Sequence, residues 1–398
     1  MNTEKIDLAK IGSVSGILIA TAVFTTVLLA IASYRAYPFN DNVNPTLSAG
    51  NDWLTYKENA VSILRNGLAM PKVASNYARP EGRPGGFLYN YFVAAVFALT
   101  GINSTHVYLV QTVLLGFSVG LMALAFRPFL SQAIAAFYFL LLAGLFFLEV
   151  FCIYTFRLLS ENLVILLLAL FCFLAVQTMI KKSLGIAALA GVAAGMCALC
   201  RPNLVLLPLV VTVLFAIYLS GKARLAIPAI FLIGALVVFA LMPLRNYVAT
   251  KQPSLSAITY TRDWDRPEID LSTPITFKKI AAAISAAIVF YGKRVLFCFG
   301  LTFFYLPIHW LRPHWIIIWA GAFLFCRRAW QRRRLEFWQA FAITFVAVYL
   351  GPLIAVAQIY NYGVRMIVPV LPVLLVMAVA GFAPQLERLM RAGKLTES

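Results

Sequence analysis

Apolar residues run along this chain in long, nearly unbroken stretches separated by short polar ones. Runs at about 11–33, 105–126, 130–149, 159–179, 184–200, 204–220, 225–244, 336–358 and 364–383 read as membrane-spanning helices. A shorter run, 314–326, reads as another. Two segments fit either a span or an interfacial helix. The stretch 85–101 is only marginally long, and 280–311 is broken by Lys293-Arg294 and Pro307. The pattern predicts an all-α polytopic membrane protein with about 10–12 transmembrane helices. An outer-membrane barrel is excluded, because its strands would alternate polar and apolar positions over about 10 residues. The first run lacks an obvious small-residue cleavage site and is expected to stay as a span.

Composition agrees with this reading. Hydrophobic residues make up 62% and charged residues 12%, with mean hydropathy +0.86, which excludes a water-soluble globular protein. The net charge of +18 sits in short segments between apolar runs, so it reads as a topology signal and an attraction to anionic lipid or phosphate, not to nucleic acid. Lys5, Lys10, Arg127, Lys181, Lys182, Lys222, Arg224, the RRAWQRRR cluster and Arg388, Arg391 and Lys394 fall on one side if both termini are cytoplasmic. Two long polar stretches, 34–84 and 245–280, then face outward. The chain 1–398 is expected to be a single membrane domain ending in a cytoplasmic tail, 384–398.

Several catalytic sets are missing from the sequence. There is no HExxH or P-loop, and no GxGxxG at a strand–helix junction. The 3 histidines (His106, His309 and His314) are too scattered to make a histidine-rich metal site. Of the 6 cysteines, Cys197 and Cys200 form a C-x-x-C, yet within GVAAGMCALC they read as small packing residues. No cofactor is indicated, nor a divalent metal.

The candidate chemistry lies in the outward stretches. In NDWLTYKENAVSILRNG, Trp53, Tyr56, Ala60, Ile63/Leu64 and Gly67 recur at helical spacing, with Asn51 placed to cap and Gly67 placed to end the helix. This predicts a short amphipathic helix on the outer membrane face with Asp52 in its first turn. Asp52 either serves the helix dipole or acts as a general base. Arg79 and Arg83 follow in NYARPEGRPGG. Further arginines stand at the expected outer ends of helices: Arg157, Arg201, Arg245 and Arg365, the last near Tyr360. Glu161 lies four residues after Arg157, where the two could pair on a helix. Charges at membrane depth are costly and usually line a site. A carboxylate among guanidinium groups suits a phosphate-bearing substrate and an incoming hydroxyl.

Asp52, Tyr56, Ala60, Ile63 and Gly67, followed by Arg83-Pro84-Gly85 and a helix ending in Thr100-Gly101, resemble the first outer loop of the GT-C membrane glycosyltransferases. The likeness is to the branch of protein O-mannosyltransferases and lipid A aminoarabinose transferases. Ser160-Glu161-Asn162, then Gly191, Gly195, Arg201 and Pro202, and finally Arg365 with Pro369 and Pro372, fit the same pattern. The resemblance implies a GT-C-like core at 11–244, including the outer loop 34–84, and variable C-terminal spans at 281–383. It also implies a polyprenyl-phosphate-linked sugar as donor, with a glycolipid, polysaccharide or protein of the cell envelope, lipopolysaccharide included, as acceptor. Asp52 matches the residue taken as general base, and Arg83 stands where many relatives carry Lys before Pro. Arg79, Arg157, Glu161, Arg201, Arg245, Tyr360 and Arg365 are the expected substrate-binding residues. The chain departs from the pattern in flanking Asp52 with Asn51 and Trp53, where many relatives have an acidic pair. The expected location is the inner membrane, with the site facing the periplasm or exterior. Rival readings are a polysaccharide polymerase or ligase using lipid-diphosphate sugars, and a lipid-linked sugar flippase. A flippase would carry mid-membrane charges and inverted repeats.

Overall fold

The computed structural model describes residues 8–36, 51–67, 87–151, 155, 158, 160–201, 204–250, 285, 313–356 and 368–395. Among these residues every regular element is helical. In chain order they are α1 (Leu8–Ile11), α2 (Val14–Ala36), α3 (Asn51–Asn66), α4 (Phe87–Thr100), α5 (Ser104–Phe126) and α6 (Gln132–Phe146). A π-helical turn, Phe147–Phe151, extends α6. Then come α7 (Ser160–Lys181), α8 (Leu184–Cys200), α9 (Leu207–Tyr218), α10 (Ala223–Phe239), α11 (Leu241–Thr250), α12 (Pro313–Gln331), α13 (Phe337–Val356) and α14 (Leu371–Leu395).

The chain is an all-α polytopic membrane protein. Among the described residues, five stretches are long and apolar enough to cross a bilayer: Val14–Arg35, Ser104–Phe129, Ser160–Lys181, Ala223–Arg245 and Val368–Met390. Each falls on a run read from the sequence, and α6, α8, α9 and α13 are shorter apolar helices on four more. Helix α9 has only 12 residues, about 18 Å by its rise, so the run 204–220 is helical over just part of its length. Helix α4 has 14 residues, about 21 Å, against a hydrocarbon thickness of about 30 Å. Its described residues alone fall short of that thickness, and Gly85 and Gly86, which open the segment 85–101, lie outside the described residues. The second open segment, 280–311, lies outside the described residues apart from Ser285.

Leu18, Ile19, Val23 and Val27 of α2 stand out from the bundle, as lipid-facing side chains do. Between helices, small residues allow close approach. Gly191 and Gly195 of α8 lie against the Phe231 and Ala235 backbone of α10, and Gly321 of α12 meets Gly381 of α14. Cys197 and Cys200 are buried free thiols within the α8 packing.

Contacts between helix ends define one face of the bundle. The Arg127 guanidinium donates through Nε to the Gly12 carbonyl at 2.7 Å, and the Tyr218 hydroxyl donates to the Leu335 carbonyl at 3.0 Å. Arg328 donates to Gln385 at 3.2 Å. This face gathers the short basic turns. Helix α7 runs from Glu161 at the opposite end to Lys181 here.

Candidate functional site at the end opposite the basic turns

Helix α3 is shaped by its sequence much as the spacing predicts. It opens at Asn51, and Gly67 ends it in left-handed geometry (φ +87°), its N–H donating to the Ile63 carbonyl at 3.0 Å. Asn59, Ala60 and Ile63 form the buried stripe, with Tyr56 half-buried. Leu64, expected to share that stripe, is instead 39% exposed, because the buried face is centred one position earlier.

That stripe rests on α4. Asn59 Nδ2 donates to Asn90 Oδ1 at 3.4 Å, and the Tyr56 and Tyr89 rings meet edge to face with centroids 4.8 Å apart. Helix α4 in turn is held at this end of the bundle. Its Leu88 packs on a cluster of Leu199, Val238 and Met242 from α8, α10 and α11, and Tyr91 shares a side-chain hydrogen bond with Arg245. Gly101 (φ +86°) and the capping side chain of Asn103, which accepts from the Thr105 N–H at 3.0 Å, turn the chain from α4 into α5.

Deeper in the bundle the Tyr89 hydroxyl donates to Gln111 Oε1 of α5, and Gln111 Nε2 donates to the Thr155 carbonyl at 2.9 Å. The Thr155 N–H closes the π turn by donating to the Val150 carbonyl at 3.2 Å. All of Tyr89, Gln111 and Thr155 are fully buried.

The start of α7 carries a charge pair. Glu161, in the first turn of α7, forms an ion pair with Arg201, the residue at which α8 leaves helical geometry (φ −142°, ψ 109°). Their side chains are 1% and 8% exposed. Each charge alone would be expensive at this depth; together they offset much of that cost. Glu161 thus has a partner on the next helix, and Arg157, its expected neighbour, lies outside the described residues.

Of the expected site residues, Glu161, Arg201 and Arg245 come to this end of the bundle, with Asp52 as the second residue of α3. Arg79, Arg83, Arg157, Tyr360 and Arg365 lie outside the described residues, as does the side chain of Asp52. Sequence reasoning followed charge and passed over Asn59, Tyr89, Asn90 and Gln111. The available signal was polar residues inside apolar runs, Asn90 in FLYNYFVAAV and Gln111 in YLVQTVLL.

Residues 83–245 match the model of the dolichyl-phosphate-mannose-protein mannosyltransferase family, a family of GT-C type. No curated protein matches the chain. The matched stretch begins just before α4 and closes at Arg245, so it takes in the Tyr89–Gln111–Thr155 relay, the Glu161–Arg201 pair and the Tyr91–Arg245 contact. This match, over the same elements that build the polar end of the bundle, makes residues 83–245 similar to membrane glycosyltransferases of the GT-C type.

Proposed function

We propose that the protein transfers a sugar from a polyprenyl-phosphate carrier to a hydroxyl-bearing glycolipid, polysaccharide or protein acceptor on the outer side of the inner membrane. The observation that carries this reading is the buried Glu161–Arg201 pair, inside the matched stretch 83–245 and at the same end as α3, which begins at Asn51-Asp52 ahead of that stretch. That end lies away from the short basic turns, which by the charge rule belong to the cytoplasm.

In this mechanism the Asp52 carboxylate takes the proton of the acceptor hydroxyl. The freed oxygen attacks the anomeric carbon as the bond from that carbon to the phosphate oxygen breaks, so the configuration inverts. One base suffices for a single displacement. Negative charge grows on the departing polyprenyl phosphate. Guanidinium groups placed in advance lower the barrier there by several kcal/mol, on the order seen for pre-positioned donors elsewhere. Arg83, Arg201, Arg245 and Arg365 are the groups assigned this work, with Arg79, Arg157, Glu161 and Tyr360 completing the substrate surface. The lipid tail lies among the apolar helices, so no nucleotide site and no cofactor are required.

The test is a panel of radiolabelled polyprenyl-phosphate hexoses and pentoses incubated with membranes containing the protein. At least one label should pass to an endogenous acceptor, and Asp52→Asn should stop that transfer while the protein still inserts and binds the donor. Transfer from none of the panel overturns the reading; normal transfer by the variant removes Asp52 from the base role.

A further inference from the structure

The Gln111 amide makes a bridge between two parts of the molecule that the transfer reaction needs in register. One of its atoms accepts from Tyr89 on α4, and another donates to the Thr155 carbonyl at 2.9 Å, in the connection between the π turn and α7. The Tyr89 ring bears edge-on against Tyr56 of α3 at 4.8 Å. On one side, therefore, Gln111 is linked through two aromatic rings to the helix that begins beside Asp52. On its other side it holds the Thr155 carbonyl, a short way before Glu161 and its pair with Arg201 in the chain.

This linkage has no obvious role in helix packing alone. Gln111 is completely buried in an otherwise apolar stretch of α5, where a leucine would pack without any polar cost. A π-helical turn ends α6 beside it, and such turns often mark functional positions because they loosen the regular ladder. The Thr155 N–H ties back to Val150, so Thr155 is held through both its N–H and its carbonyl. A buried amide that satisfies an acceptor and a donor at once fixes geometry more tightly than apolar contact does.

We propose that Gln111 is a positioning residue. It holds the Thr155 connection, and with it the approach to the Glu161–Arg201 pair, in fixed register with the α3 helix that carries Asp52. The inference rests on the transferase reading for its consequence, since it sets the geometry between the base and the donor side. Displacement of reacting groups by about 1 Å can cost on the order of a hundredfold in rate.

Two measurements on the purified full-length protein test it separately from that reading. The first is amide hydrogen exchange in detergent, which needs no donor. Gln111→Leu should speed exchange in the 150–159 connection and in α3, with helices at the basic end unchanged. Tyr89→Phe, which removes one hydroxyl and leaves the ring packing, should do the same to a smaller degree and covers the case in which Gln111→Leu fails to fold. Wild-type exchange in α3 and the connection for the folded variants overturns the proposal, whether or not any donor is turned over.

The second measurement is steady-state transfer from a polyprenyl-phosphate sugar that the wild type uses. Both variants should lose kcat by at least about tenfold with donor KM little changed, as misplacement of reacting groups predicts. A residue that only supports the fold would lower the unfolding temperature and leave kcat alone below it. Unchanged kcat in both variants overturns the proposal. If exchange quickens as expected while the wild type transfers no sugar from any polyprenyl phosphate, the transferase reading fails and the register function of Gln111 stands.

Discussion

The Glu161 carboxylate and the Arg201 guanidinium form a buried ion pair that joins the start of α7 to the end of α8. Because these helices form a hairpin through Ser183, the pair closes the hairpin at its open end. Glu161 also sits in the first turn of its helix, where the dipole favours an acid.

Removing one partner leaves the other charge buried and uncompensated. Glu161→Ala should therefore destabilise the protein by about 3–5 kcal/mol, the range for breaking buried pairs. The double replacement Glu161→Leu with Arg201→Met should recover most of that loss, since apolar residues of similar volume carry no desolvation cost. Thermal unfolding in detergent reads both. Recovery of stability in the double variant without recovery of transfer would assign the pair to function as well as to fold.

Gly191 offers a test of the packing. A Cβ there would run into the Phe231 carbonyl, and backbone cannot move aside as a side chain can. Gly191→Val should cost about 1–3 kcal/mol or more, the usual range for overpacking. Gly144 of α6 has open space where its Cβ would stand, so Gly144→Ala should be neutral or slightly stabilising. Equal unfolding temperatures for both variants would mean that α8 and α10 do not depend on that close approach.

Much of the fold was legible because hydrophobic length and small-residue spacing act locally. The C-terminal limit of α3 followed from Gly67, and the long apolar helices from uninterrupted runs. What could not be read was which polar residues meet. Glu161 pairs with Arg201, and no local rule selects a partner one hairpin away. Gln111 carries no charge and lies within an apolar run, so its link to Thr155 becomes visible only when α4, α5 and the π turn are brought together. Between the two admissible positions Ile63 and Leu64 the structure buries Ile63, since adjacent positions on a helix differ by about 100°.

Trp330 reports on orientation. It is 85% exposed, between Arg328 and the Arg332–Arg334 turn, so a cysteine placed there is accessible from its own side of the membrane. In a background lacking reactive native cysteines, Trp330→Cys should resist an impermeant thiol reagent in intact cells and react readily in inverted vesicles. The physical reason is the bias of short basic loops toward the cytoplasm. Ready labelling in intact cells would turn the bundle over and put the Glu161–Arg201 end inside.

The last prediction concerns the donor phosphate. Arg83, Arg201 and Arg365 come from separate parts of the chain, and the proposed function brings all three to one lipid-linked phosphate. If they contact it, Arg→Ala at each should weaken donor use, by about a few kcal/mol where the contact is direct. Arg→Lys should recover only part of the loss, because an ammonium cannot offer the bidentate fork of a guanidinium. The competing account makes each arginine an anchor for its own helix at the membrane surface. Lysine snorkels equally well, so on that account Arg→Lys would be nearly silent. Arg201 needs one further control, since its pair with Glu161 also supports the fold. For it, donor kinetics must be taken well below the unfolding temperature of the variant, so that lost stability does not pass for lost binding. Arg365 is expected to be the most sensitive and Arg83 the most forgiving, because lysine stands before proline in many proteins that the first outer loop resembles. Wild-type donor kinetics in all three lysine variants would sink the shared phosphate site and leave the arginines as anchors.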